Sequence, residues 1–341
     1  MKKQIVCSFY ASIVIAATGV FLSFFYLNET LAATYYQGKQ IRIVVGAAAG
    51  GGYDTPARLL AKHLPQYIPG NPTIIIDNMV GASGMIAANH VYNIAKPDGL
   101  TIGTFSRALP FSQLVGAEGV KFDMAKYSWI GSMTVEPSVF ALRADLPYKT
   151  LDDLRKVKEP ITIGCSGVTN QDAQVPLLIK ELCGLNLRLV IYKSSGEASL
   201  AFERKEVDGR AESYFNLKPL IDRGLLRPWM RGRVSVKEID DLPNWENLTL
   251  NEKGKTLMIM YGISDVIGRF YVAPPRTTDE AMMILRDAFA KVAKDTAFLA
   301  DAEKSRVNAR FTPGEEVLKQ ITFVMNQPPT IVKEFSQLLT F

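Results

Sequence analysis

Cysteine and histidine are scarce in this sequence, three and two residues in 341. Cys7 lies in an N-terminal apolar segment, so Cys165 and Cys183 remain, which suits an exported chain that does not rely on disulfides. The pattern of residues 171–182 predicts a helix between them about 18 Å long at 1.5 Å per residue, against a limit of ~7 Å between bridged Cα atoms. The two thiols are expected partly buried and unpaired. His63 and His90 each fall inside a predicted helix without a second His, Cys or carboxylate at metal-ligand spacing. No metal and no other cofactor is implied.

Runs of one charge are also missing. The net charge is +5, yet no Lys/Arg cluster is longer than two or three residues, a poor footprint for nucleic acid. The phosphate-loop signature is absent, and Gly50 and Gly52 lead to Thr55 where a dinucleotide fingerprint needs glycine. Gly164-Cys-Ser166-Gly167-Val168 has the start of a nucleophile elbow but lacks its final glycine, so Ser166 reads as a hydroxyl or N–H donor at a helix start. The carboxylates Glu197, Glu203, Glu206, Asp208 and Glu212 form no coherent acid/base pair. Glu203 and Glu206 beside Arg204 and Lys205 read as a solvated helix face, and Asp208-Gly209 as a turn. With no nucleophile, base or metal set, the chain is expected not to be an enzyme.

Residues 1–33 read as an export segment, with Lys2-Lys3, an uncharged stretch from Ile5 to Leu27, and Leu31-Ala32-Ala33. A signal peptide cleaved near Ala32 or Ala33 is expected, giving a periplasmic product. The alternative is an uncleaved inner-membrane anchor, because a run of this length spans a bilayer. The chain beyond this segment is long enough for two domains, and 48% hydrophobic with 21% charged residues is an ordinary soluble composition. No fixed-period repeat or low-complexity segment interrupts it.

The most informative stretch is Gly46-Ala-Ala48-Ala-Gly50-Gly51-Gly52-Tyr53-Asp54, between the apolar Ile41-Arg-Ile-Val-Val45 and the helix-like Thr55–Lys62. Strand, small-residue loop and helix start together favour an anion, because backbone N–H groups and the positive helix end meet there. Pro72–Asp77 reads as a strand covered on both faces, followed by Asn78-Met-Val-Gly81-Ala82-Ser83-Gly84 and a helix over 85–95 whose Ile86, Ala87, His90 and Ile94 share a face. Lys96-Pro97-Asp98-Gly99 turns into a third strand, 100–105. A second set comes next: strand 161–165, loop Ser166-Gly167-Val-Thr169-Asn170, helix 171–182, strand 187–192, loop 193–196 and helix 197–205. Helices are predicted over 278–294, 296–305 and 314 to about 339. This alternation predicts α/β architecture with mostly parallel sheets flanked by helices, and ligands beyond the carboxyl ends of the strands.

Asp54 is a candidate N-cap whose other oxygen can face a ligand. Tyr53 and Tyr192 are candidates to line a cleft, and Arg107, just past the third strand, is the best-placed cation for a ligand carboxylate. Met258 and Met260 read as core.

These motifs resemble the extracytoplasmic solute-binding proteins of tripartite tricarboxylate transporters, the Bug family, over nearly all of the exported chain. Gly50-Gly-Gly-Tyr-Asp54 with Ala57-Arg58-Leu, the Asn78–Gly84 loop, Lys96-Pro-Asp-Gly99, Tyr192-Lys-Ser-Ser-Gly196 and Val272-Ala-Pro-Pro275 carry the resemblance in order. It implies a two-domain, type II-like periplasmic-binding-protein clamshell, with domain 1 over 34–140 and 268–341 and domain 2 over 141–267. It also implies a small organic carboxylate ligand handed to a membrane permease, by a chain read as a monomer. Carried over by motif, Ala48, Gly51, Gly52, Asp54, Gly81, Ala82 and Ser83 fall on the carboxylate side, and Ser166, Gly167, Thr169 and Tyr192 on the facing domain. The family's first strand ends in Pro-Phe where Gly46-Ala47 stand here. Its third loop carries a His that is missing here, where Asp172 is added. Both departures predict an enlarged or recharged pocket, unlike one for a citrate-like or amino-acid ligand. An extracytoplasmic enzyme and a membrane-tethered ligand sensor are the alternative uses of such an architecture.

Overall fold

The structure, a computed structural model, describes residues 35–338. The export segment expected over residues 1–33 lies outside them. Among the described residues no helix is long and apolar enough to cross a membrane.

The chain opens with β1 (Gln40–Val45), α1 (Asp54–His63), β2 (Thr73–Asn78), α2 (Met85–Asn93) and β3 (Thr101–Thr104). β1 pairs in parallel with both other strands, so Val45 has Asn78 on one side and Thr104 on the other. The βαβαβ unit is thus as the apolar runs and glycine loops predict. β2, however, is an edge strand and only half-buried, with Asp77 paired to the exposed Arg42 at 3.7 Å. Continuous isoleucine does not distinguish a central from an edge position. On α2 the buried residues are Met85, Ala87, Ala88 and Val91, while Ile86 and Ile94 face outward. Small alanines let that face pack closely on β3, and the bulkier isoleucines are left in solvent.

Next come α3 (Leu109–Leu114), β4 (Ser128–Thr134), β5 (Ser138–Arg143) and α4 (Leu151–Arg155), which starts on a Thr150/Asp153 capping box. β6 (Ile161–Cys165), α5 (Gln171–Cys183), β7 (Leu187–Ile191), α6 (Ser195–Glu203), β8 (Gly209–Ser213), α7 (Tyr214–Asp222) and β9 (Leu226–Arg231) complete a second set. After α8 (Glu252–Tyr261) and α9 (Ile263–Ile267), β10 (Phe270–Ala273) leads to α10 (Asp279–Val292), α11 (Thr296–Lys304), β11 (Ala309–Pro313), α12 (Gly314–Met325) and α13 (Pro329–Leu338). The helix expected from 314 to 339 is therefore two helices. Pro328 and Pro329 break it, since proline lacks an N–H and disfavours helix in the residue before it, yet suits a first helical position.

The strands form two sheets, β11-β4-β10-β3-β1-β2 and β7-β6-β8-β5-β9. Both are mixed: β10 and β11 run against the rest of the first, and β5 against the rest of the second. The chain crosses between sheets twice, at 135–137 and at Gly268, and β5 runs through the boundary expected at 140/141. The crossings lie side by side: Glu136 N–H donates to the Asp265 carbonyl at 3.1 Å, and Arg269 N–H to Thr134 Oγ1 at 3.1 Å. Gly268 has φ +53°, and a Cβ there would stand 1.8 Å from the Thr134 carbonyl oxygen. Only glycine fits.

One apolar cluster runs from Phe105 and Phe270 of the first sheet to Phe140 and Ile163 of the second, so the two share a core. Phe111, Tyr261 and Phe335 stack there and tie α3, α8 and α13 together, with Phe111 and Tyr261 centroids 4.7 Å apart. Met258 and Met260 belong to this core, and Cys165 and Cys183 are buried and unpaired.

Candidate functional site

The parallel strands of the two sheets point their carboxyl ends at each other. Loops after β1, β2 and β3 meet the loop after β6, the start of α5 and the residues that follow β8, the place where open α/β sheets hold ligands. The approach is close. A Cβ on Gly167 would stand 2.9 Å from Ser83 Oγ, and one on Gly52 would stand 3.1 Å from the Asn216 side-chain nitrogen.

Asp54 organises the first loop. It is the first residue of α1, whose N-cap is Tyr53, and its buried carboxylate folds back: Oδ2 accepts from Gly50 N–H and Arg58 Nε, each at 2.7 Å, and Oδ1 from Asn78 Nδ2 at 2.8 Å. Asp54 is thus not the N-cap, and both its oxygens are engaged within the loop. Arg58 and the Gly50 N–H hold its carboxyl below the ordinary range although burial opposes this. Ala48 is exposed and accepts from Gly51 N–H at 3.1 Å. Gly46 does not enlarge the pocket: its missing Cβ would meet Phe105 Cβ at 2.8 Å and Gly84 Cα at 2.9 Å, so glycine lets the first two loops touch.

The second loop carries unusual backbone. Gly81, Ala82, Ser83 and Gly84 have φ of +140°, +43°, +55° and +89° in succession. Left-handed conformation is uncommon for Ala and Ser, and a run of it turns successive N–H groups to one side as an anion-binding nest. Gly84 N–H returns to the Gly81 carbonyl at 2.9 Å, whereas those of Ala82 and Ser83 donate to no atom among the described residues.

Tyr53 is half-buried between the halves, its hydroxyl accepting from Arg107 N–H at 2.9 Å. The Arg107 guanidinium is 4% exposed and turned inward. It donates through Nε and Nη2 to Gln171 Oε1, with Nε at 2.8 Å, and through Nη2 to Ser138 Oγ at 3.1 Å. Glu136 and Asp265 lie 3.7 and 3.8 Å away. Its charge is therefore matched inside the protein, and it joins β3, the first crossing and α5. Ser138 Oγ donates to Asp265 Oδ1 at 2.5 Å, and Gln171 Nε2 to the same oxygen at 2.9 Å. Burial raises the Asp265 carboxyl to about 6, with the Arg107 charge opposing.

On the facing half, Ser166 N–H donates to Asp172 Oδ2 at 2.7 Å, and Ser166 Oγ accepts from Asn170 Nδ2 at 3.1 Å. Gly167 and the half-buried Thr169 lie in this same turn, before α5. Tyr192 turns away, its hydroxyl donating to Glu206 at 3.5 Å while the ring packs against the apolar cluster that includes Phe202 and Leu217. Asp208 is no simple turn residue: its Oδ2 accepts from Thr162 N–H at 2.8 Å and Oγ1 at 2.7 Å, clamping β6 where β8 begins.

As site residues, Glu212, Arg210, Asn216, Gln171, Glu136 and Arg269 escape the sequence reading. Arg210 and Glu212 are two apart in β8, so both side chains leave the same face and pair at 2.8 Å. Two charges alternating in a five-residue strand are the available signal. Among the described residues no group of three His, Cys, Asp or Glu is arranged to hold a metal.

The tripartite tricarboxylate transporter family receptor model matches residues 57–336. The chain belongs to that family. A UPF0065 protein of Bordetella pertussis is 23% identical over 89% of this chain and 91% of its own, and one of Cupriavidus necator 26% identical over 83% of each. A UPF0065 protein of Agrobacterium vitis is 30% identical over 174 residues, about half of either chain. Among solved structures, the periplasmic binding protein BugD has TM-score 0.71 at 19% identity, covering 89% of this chain and 98% of BugD. MatC of Rhodopseudomonas palustris with bound malate has TM-score 0.68 at 19% identity, covering 89% and 99%. An R. palustris protein with adipate has TM-score 0.69 at 19% identity, covering 89% and 97%. This receptor therefore has the fold of periplasmic binding proteins.

Proposed function

We propose that this receptor takes a small organic carboxylate between its two halves and delivers it to the membrane subunits of a tripartite transporter, acting as a binding protein and not as an enzyme. The observation that carries this reading is the left-handed run Gly81–Gly84, whose Ala82 and Ser83 N–H groups donate to nothing among the described residues, opposite Gly167. A carboxylate there would receive backbone hydrogen bonds that the protein does not supply to itself. Gly51, Gly52 and Tyr53 border the position from the first loop, and Gly167 and Thr169 from the facing one. Asp54 and Arg107 act from behind, by holding loops in place. The relatives carrying malate and adipate agree in ligand class. The lobes divide at the two crossings, 135–137 and Gly268, and the chain works as an exported monomer.

The test is a thermal-shift screen of the full chain against ~100 carboxylates, with each compound assayed by mass spectrometry in the same wells. A specific ligand at a hundredfold excess over its Kd adds about 2.7 kcal/mol and raises Tm with the compound unchanged. Consumption of the compound, or no shift with any carboxylate, would overturn the reading.

A further inference from the structure

The two walls of the cleft differ in charge and in hydrogen-bonding character. The first offers donors, the free N–H groups of Ala82 and Ser83. The second offers acceptors, centred on Glu212 at the carboxyl end of β8.

Glu212 Oε1 accepts from Asn216 Nδ2 at 2.8 Å, Oε2 from Arg210 Nη2 at 2.8 Å, and both oxygens lie within 3.0 Å of Ser195 Oγ. These donors fill three of about four lone-pair positions on a carboxylate. Its side chain is 15% exposed, so a ligand can reach the remaining one. Asn216 also places Glu212 in the cleft, because its amide lies 3.5 Å from Arg269 and against the missing Cβ of Gly52.

Beneath Glu212 a second carboxylate shares the same guanidinium. Arg210 is fully buried and serves two carboxylates, Glu212 and, at 3.9 Å, Asp172. Burial and the Glu212 charge push the Asp172 carboxyl above its ordinary range. Asp172 Oδ1 and Arg210 Nε are buried without a hydrogen-bond partner, as are Arg107 Nη1 and Asp265 Oδ2 at the joint between the sheets. Neighbouring cations bring no relief: Arg269 is matched by Glu136 at 3.1 Å, and Arg107 by Glu136 and Asp265.

We infer that Glu212 selects the far end of the ligand, favouring a monocarboxylate whose other end carries a hydrogen-bond donor without negative charge, an amide or an ammonium, over a dicarboxylate. The inference rests on the carboxylate reading of the cleft. A second carboxylate would face Glu212 as a like charge and supply no donor, whereas a site with a buried acceptor discriminates strongly against ligands that leave it unpaired.

Titration calorimetry of the full chain with matched series tests this: succinate, succinamate and β-alanine; glutarate, glutaramate and γ-aminobutyrate; adipate, adipamate and ε-aminohexanoate. At the best-fitting length the amide or ammonium compound should bind at least ~10-fold tighter than the dicarboxylate, a difference of about 1.4 kcal/mol. Glu212→Gln should abolish or reverse that order. Ser195→Ala, which removes one donor from Glu212 and leaves its charge, should keep it, and decides the matter with the wild type if Glu212→Gln does not fold. A dicarboxylate binding tightest to the wild type, or an unchanged order in a folded Glu212→Gln variant, would overturn the inference. So would binding of some other carboxylate but none of the series, with the carboxylate reading intact. No binding of any carboxylate would remove both.

Discussion

Asp54 holds the first glycine loop by three hydrogen bonds, two of them from the backbone and side chain of positions four away on either side. Asp54→Ala leaves Gly50 N–H without its acceptor and Asn78 Nδ2 with the Ala47 carbonyl alone, and should cost about 2 kcal/mol in urea denaturation, at the rate for charged hydrogen bonds. A loss under ~0.5 kcal/mol would show that the loop does not depend on it. Gly46→Ala tests the neighbouring contact. Its Cβ would meet backbone at Gly84, so a cost of about 1–3 kcal/mol is expected, with weaker ligand binding because the Ala82–Ser83 run must shift. Unchanged stability would show that the loops can separate freely. The sequence marked Asp54 as exceptional, but not that its anion would serve the loop. Spacing shows an i,i+4 partner in Arg58, whereas Asn78 reaches it only through the parallel pairing of β1 and β2.

The two crossings form the joint between the sheets, and their polar groups are buried together. Gly268→Ala puts a carbon against the Thr134 carbonyl oxygen, so about 3 kcal/mol or more should be lost, read as a fall in Tm or in soluble yield. A fully stable variant would contradict the geometry. Asp265 gives this joint a pH signature. Its folded carboxyl is raised from 3.8 to about 6, so its contribution is complete below pH ~4 and is lost as pH rises to ~6, by up to about 3 kcal/mol. Asp265→Asn should flatten the fall in urea-derived stability between pH 4 and 6; an unchanged slope would exclude Asp265 as its source. Elements were legible where apolar runs met glycine loops, as in β1, β3, β6 and β7. β8 was not legible, because Arg210 and Glu212 make Gly209–Ser213 look like solvent-facing chain. Their charges are paired inside the fold, which no local pattern displays. The sequence reading has no place for β4 and β5, although the order of both sheets depends on them.

Across the molecule, two mixed sheets share one core and turn their strand ends toward a common cleft, with donors on one wall and acceptors on the other. The alternation of strands and helices made that architecture readable from the chain. Which loops touch was not readable, since Ser83 and Gly167 are brought together only by the crossings. If a carboxylate is taken between the halves, the halves must part to admit it. A Ser83→Cys/Gly167→Cys pair tests this most directly, because the 2.9 Å separation at that point matches a Cβ–Sγ distance across a disulfide. Oxidised before ligand is added, the pair should lose carboxylate binding by calorimetry, and reduction should restore it. Binding at the reduced protein's affinity while the bridge is intact would contradict capture between the halves.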